Sequence, residues 1–193
     1  MIMTPLLLGL LGWTAVSIVA GLIWRQRAQP RPPHLLTGPP RAVIILAVIG
    51  LAQLGVAIVA SATPPAGPVI NWLGVGAAAV STVITGGTVT TIVLSLARAT
   101  APTLQVGPSG ARIQREMLRG GAWIGVLERI GIMASLLTWP EGVALILAIK
   151  GLARYPELKA GATSGTAERF IIGTLVSFGW AAGCAGISWL IIT

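Results

Sequence analysis

The chain has 193 residues, of which 54% are hydrophobic and only 9% charged, with a mean hydropathy of +0.87 and a net charge of +8. Apolar runs of about 20 residues, the length that crosses ~30 Å of hydrocarbon, recur along it and exclude a single water-soluble core. The thirteen cations fall between these runs, at 25–41, 98–119 and 150–169, with Arg129 the exception. That is the pattern of cytoplasmic loops under the positive-inside rule, so membrane lipids are the expected surroundings and no nucleic-acid partner is expected.

The pattern predicts an all-α integral membrane protein, a single domain of about six spans. The first span, 5–24, has no basic segment before it and no small-x-small cleavage site after it. It ends at Trp24 and a basic cluster, so it reads as a retained span with its N-terminus outside. The proline-rich basic loop that follows is placed inside. A second span, 42–62, leads to the uncharged turn Thr63-Pro-Pro-Ala-Gly-Pro68, placed outside.

The third span, 69–97, is long enough to cross with tilt or with a local break at Gly86-Gly87. Gly74, Ala78, Thr82, Gly86 and Thr90 recur every four residues and lay small side chains along one face, which lets another helix approach closely. Ser81, Thr85 and Thr88 offer a polar path, against the simpler reading that such hydroxyls bond back to their own helix. Residues 111–119, with four of their charged or polar groups on one side, suit a short interfacial helix or a solvated basic loop.

The run from Gly120 to Glu157 allows one helix or two. A single helix over 130–149 would bury Pro140 and Glu141 and send the following cations outside, against two rules. A helical hairpin with arms 121–138 and 139–155 avoids both. Thr138-Trp-Pro-Glu141 then reads as a capping box opening the second arm, with Pro156 closing it. The sixth span, 169–192, carries Gly179 and Gly183 at GxxxG spacing, a second close-packing face. Both termini come out extracytoplasmic.

Ile124-Gly-Val-Leu-Glu-Arg-Ile-Gly-Ile132 places Glu128 and Arg129 inside an apolar run. An ionisable group at mid-bilayer costs on the order of 2.5–3.5 kcal/mol even on the translocon scale, so it needs a partner. In the hairpin Glu128 lies level with Lys150, and Arg154 one turn beyond; Arg129 points about 100° away, free to snorkel or to face another helix. Three readings of Glu128, Arg129, Lys150 and Arg154 follow. The Glu128–Lys150 pair sets hairpin register; Glu128 is a proton or ion site; or the cations clamp an anionic headgroup or substrate. With one histidine, His34, one cysteine, Cys184, and no aspartate, no metal site, cofactor or nucleophile triad is expected.

The segments GGAWIGVLERIGI, AIKGLARYPELK and ERFIIGTLVS, within residues 121–190, resemble an uncharacterised bacterial family of polytopic membrane proteins, a domain of unknown function. The resemblance implies a multi-pass protein of the bacterial cytoplasmic membrane and supplies no activity. With almost nothing outside the bilayer, the expected function is that of a non-enzymatic subunit of a membrane complex, such as a transport assembly, packed against other membrane proteins or a second copy. The alternatives are a small transporter or channel using Glu128 and Lys150, and a lipid-handling enzyme in which Glu128 or Glu168 acts alone.

Overall fold

A computed structural model describes residues 13, 39–65, 67–97, 120–159 and 164–193. These residues form helices: α1 (Pro39–Ala62), α2 (Pro68–Leu96), α3 (Gly120–Thr138), α4 (Gly142–Lys159) and α5 (Ser164–Ile192). The described part thus holds five helices where six spans are predicted. The predicted first span and the 111–119 segment lie outside it. Trp13, the one described residue of that first span, is helical and packs in the core.

Three of the five helices are long and apolar enough to cross a membrane, over 42–62, 68–96 and 167–192. The hairpin arms α3 and α4, 19 and 18 residues long, reach about 28 and 27 Å at 1.5 Å per residue. Pro68 opens α2 at its first turn, where its missing N–H forfeits nothing, and Gly67 before it takes φ 110°, a region that favours glycine. α2 runs unbroken through Gly86-Gly87. Pro156 does not end α4, which continues to Lys159. So near the helix end the ring removes one backbone bond, to the carbonyl of Leu152, and little helix remains to be destabilised.

The predicted capping box is not formed. Thr138 closes α3 and donates its hydroxyl to the Ala134 carbonyl, one turn back in its own helix. The reversal at Trp139–Glu141 is held by backbone bonds from Gly142, Val143 and Ala144 to the carbonyls of Trp139, Pro140 and Glu141. A mid-helix carbonyl within reach competes for the threonine hydroxyl, and a tightened first turn then satisfies amides that the cap was expected to serve.

Side-chain contacts give the register of the bundle. Thr82 meets Met133 while Gly86 meets Arg129, so α2 and α3 run antiparallel. Thr85 meets Trp180 while Thr90 and Leu94 lie beside Gly173, so α2 and α5 are antiparallel as well. Ser135 sits against Gly142, Ile146 against Gly131 and Lys150 against Glu128, which fixes the α3–α4 hairpin. α2 packs most extensively against α5, and α4 packs chiefly on α3.

The buried face of α2 carries Gly74, Ala78, Thr82 and Gly86, as its four-residue spacing predicts, and Thr90 is half-buried. Thr82, Thr85 and Thr90 donate to the carbonyls of Ala78, Ser81 and Gly86. This is the helix-internal bonding that leaves a small, nearly apolar exterior. α5 departs from expectation. Gly179 and Gly183 are exposed, and the buried stripe is Ser177, Ala181, Cys184, Ala185 and Ser188. Both stripes are made of small residues on an all-round apolar helix, so spacing alone does not choose between them. Cys184 is buried and receives a hydrogen bond from Gln53 of α1 at 3.3 Å.

Filling the α2 stripe should loosen the bundle. Ala78 is fully buried, so Ala78→Leu is expected to lower stability by about 1–3 kcal/mol. Gly76 faces open space, so Gly76→Ala should be neutral or stabilising by up to about 1 kcal/mol. Thermal unfolding in detergent of the two variants beside the parent checks the contrast.

Candidate functional site

Two adjacent residues of α3 bring charge into the interior in different directions. Glu128 is 8% exposed and faces α4; Arg129 is 6% exposed and faces α2 and α5. The hundred-degree step between consecutive helical residues separates them.

Lys150 meets Glu128 with its Nζ 2.5 Å from both Oε1 and Oε2. The Glu128 side chain is 6% exposed and that of Lys150 22%, so the pair is closed on the acidic side and partly open on the basic side. Lys150 also lies 5.7 Å from the centre of the Phe170 ring, and the Arg154 guanidinium lies 5.8 Å from the same ring. The four-residue spacing of Lys150 and Arg154 puts both cations on one face of α4, and the ring of α5 lies against that face. α4 therefore meets α5 through two cations and an aromatic ring.

Arg129 neither snorkels nor joins Lys150 and Arg154. Its side chain fills a groove between α2 and α5 and returns along its own helix. A Cβ at Gly86 would overlap its Cδ and come within 2.8 Å of its Nε, and one at Gly125 would lie 3.5 and 3.6 Å from its two terminal nitrogens. Helical side chains lean toward the N-terminus, so a glycine four residues earlier leaves the room that a long side chain needs. Arg129 Nη1 donates to the Ser177 hydroxyl at 3.4 Å, and the Trp180 indole beside Gly86 donates to Thr85 at 2.9 Å.

The four residues of the predicted charge cluster thus divide. Glu128 and Lys150 form one unit, Arg154 flanks it through Phe170, and Arg129 belongs to the three-helix interior. Of the predicted packing residues, Gly74, Ala78, Thr82 and Gly86 face inward, and Gly86 makes room for the arginine side chain. Gly179 faces open space, and Gly183 is approached only by the Gln53 side chain. Sequence reasoning passed over Ser177, Thr174, Trp180 and Gln53. The readable signal was Gly125, four residues before Arg129. Among the described residues no group of three or more His, Cys, Asp or Glu side chains could hold a metal ion.

No protein-family model, curated protein or solved structure matches the chain.

Three variants probe the geometry. Removing one member of a buried ion pair costs about 3–5 kcal/mol, and Glu128→Gln should fall in that range because it strands the Lys150 amine. The double variant Glu128→Gln/Lys150→Met should recover much of that loss, read as detergent melting temperature in a double-mutant cycle. Gly86→Ala should be destabilising by about 1–3 kcal/mol, since the new methyl must displace the Arg129 side chain.

Proposed function

We propose that the chain is a non-enzymatic integral membrane subunit that packs, through α5, against a neighbouring transmembrane helix in a larger assembly of the bacterial cytoplasmic membrane. The observation that carries the reading is the glycine stripe of α5 that turns away from the chain's own core. Gly179, Gly183 and Gly186 are spaced four and three residues apart on one face, all three are exposed, and a Cβ at Gly179 or Gly186 would meet nothing within 4 Å. In lipid, where burying apolar surface supplies no drive between helices, such a face is what permits close backbone approach by a partner.

Exposed aromatic residues support the membrane setting. The register that joins Thr82 to Met133 and Thr85 to Trp180 puts Trp139 level with Trp189, and Trp72 about one turn beyond them. At the other end Trp123 of α3 comes level with Tyr155 of α4. All five are more than half exposed. Sixteen residues of α3 separate Trp139 from Trp123, about 24 Å, and the extra turn to Trp72 brings the spacing to about 30 Å, the thickness of the hydrocarbon layer. Two girdles at this distance, with Leu51, Leu54, Leu145, Ile149 and Leu175 exposed between the ends of the helices, match the belts of proteins that cross a bilayer.

In this reading the Glu128–Lys150 pair holds the hairpin in register. Its closed geometry, with both carboxylate oxygens on one amine, supports that role over use as a transport site. The ends of α4 and α5 that carry Arg154 and Arg169 then face the cytoplasm.

Gly179→Leu separates packing within the chain from packing onto a partner. The isolated protein should melt within about 2 °C of the parent, because the new side chain enters open space. A complex purified from native membranes in mild detergent should dissociate to the single chain. A monodisperse parent that carries no second protein and no second copy, and that behaves identically after Gly179→Leu, would overturn the proposal.

A further inference from the structure

Arg129 is the second buried charge of the bundle, and its surroundings differ from those of Glu128. The Glu128 carboxylate has both oxygens on Lys150, so Arg129, which feels that carboxylate as a neighbouring charge, makes no ion pair of its own among the described residues. The guanidinium stays protonated in any protein interior, so it cannot shed this charge as a lysine would. Its one hydrogen bond among the described residues is the 3.4 Å contact to Ser177, and its Nε, fully enclosed, has no partner.

A second enclosed polar atom lacks a partner close by. Thr174 Oγ1 is buried and unsatisfied among the described residues. Thr174 precedes Ser177 by three residues, so the two hydroxyls share one face of α5. Gly173 beside it lies against Thr90, one turn from Gly86; Gly125 lies one turn from Arg129 in the same direction. Thr174 is therefore level with Gly125, along which the terminal nitrogens of Arg129 lie. Gly87 closes the other side, with Nη2 3.6 Å from its would-be Cβ. Guanidinium, two hydroxyls and two bare glycine surfaces converge at one depth.

We propose that this place binds one small monovalent anion of halide size, held by the Arg129 guanidinium and the hydroxyls of Ser177 and Thr174. The chain has no aspartate, and of the glutamates in the described helices and turn Glu128 is engaged by Lys150, Glu141 is exposed at the hairpin turn, Glu168 is exposed, and Glu157 lies two turns beyond Lys150 at the far end of α4. An anion of single charge neutralises the arginine and accepts the donors that the helices leave over. Arg129 is too enclosed for a lipid phosphate to reach it, and a divalent anion would exchange one unpaired charge for another at a greater desolvation cost. Glycine at 87 and 125 keeps other side chains off the guanidinium edges. The site lies within the chain's own helices, so it stands apart from the partner contact at Gly179.

The test uses the whole chain, purified in mild detergent, with its unfolding midpoint followed as sodium chloride or sodium bromide replaces sodium gluconate at constant ionic strength. The expected result is a saturable rise in midpoint with either halide. Thr174→Val and Ser177→Ala should each weaken the apparent halide affinity about tenfold, the loss of one hydrogen bond to a charged group; Thr174→Val, whose hydroxyl has no partner among the described residues, should keep the gluconate midpoint close to that of the parent, whereas Ser177→Ala, which also removes the Arg129 bond, should lower it. Arg129→Met should abolish the response; if that variant does not fold, the two hydroxyl variants decide. Superposed halide and gluconate curves for the parent overturn the proposal, as does a halide response undiminished in both hydroxyl variants. Gly179→Leu, which disturbs only the partner face, should leave the halide response as it is in the parent.

Discussion

A charge enclosed by apolar helices must be answered at its own depth, and this constraint organises the described bundle. Glu128 is answered by Lys150 across the hairpin, which forces α4 to lie beside α3 in one register, with Ser135 against Gly142 and Ile146 against Gly131. A slip of one residue along a helix moves a side chain by 1.5 Å and about 100°, enough to take the amine off the carboxylate. Packing alone would tolerate that slip far better, because both arms are apolar on most of their surface. In the proposed reading the pair contributes selection among registers more than net stability.

Arg129 imposes the second condition. A side chain of that length can be enclosed only where neighbouring backbones are bare, and Gly86, Gly87 and Gly125 provide that surface from two helices. The interior divides accordingly. Toward the hairpin turn the core is mainly hydrocarbon, with Trp13, Val56, Ala60, Ala78, Met133, Cys184 and Ile191 packed together and Asn71, Ser81, Thr82 and Ser188 the buried polar residues. One to two turns toward the other end it becomes polar, with Thr85, Thr88, Arg129 and Ser177 buried. Small residues on α2 run through both halves, and in each they do the same thing: they let something bulkier sit close to the backbone.

The hairpin, its reversal near residue 139 and the level pairing of Glu128 with Lys150 were legible because each rests on local rules: charge depth, proline position and helical rise. The small-residue face of α2 was legible for the same reason. The GxxxG motif of α5 marks a face that the described bundle leaves exposed. Hydrophobic contrast usually tells a buried face from an exposed one, and this helix has none, since Trp189 and Leu175 outside are as apolar as Ile187 and Ala181 within. The capping box failed through competition, a hydroxyl having found the Ala134 carbonyl first. The direction of Arg129 depended on which helices flank α3, and no pattern within Gly120–Thr138 contains that.

The division of charge between the two arms also bears on how such a chain is made. As α3 emerges from synthesis it carries Glu128 and Arg129 with no amine yet available, and each ionised group alone at mid-bilayer costs on the order of 2.5–3.5 kcal/mol. Lys150 follows 22 residues later, after the turn. On the membrane reading, the first arm gains little by entering lipid before the second, so the favoured unit of insertion is the folded hairpin, with Glu128 neutralised across its seam. On that reading the Trp139–Glu141 reversal is the leading edge of the unit, and the ion pair favours the entry of both arms together.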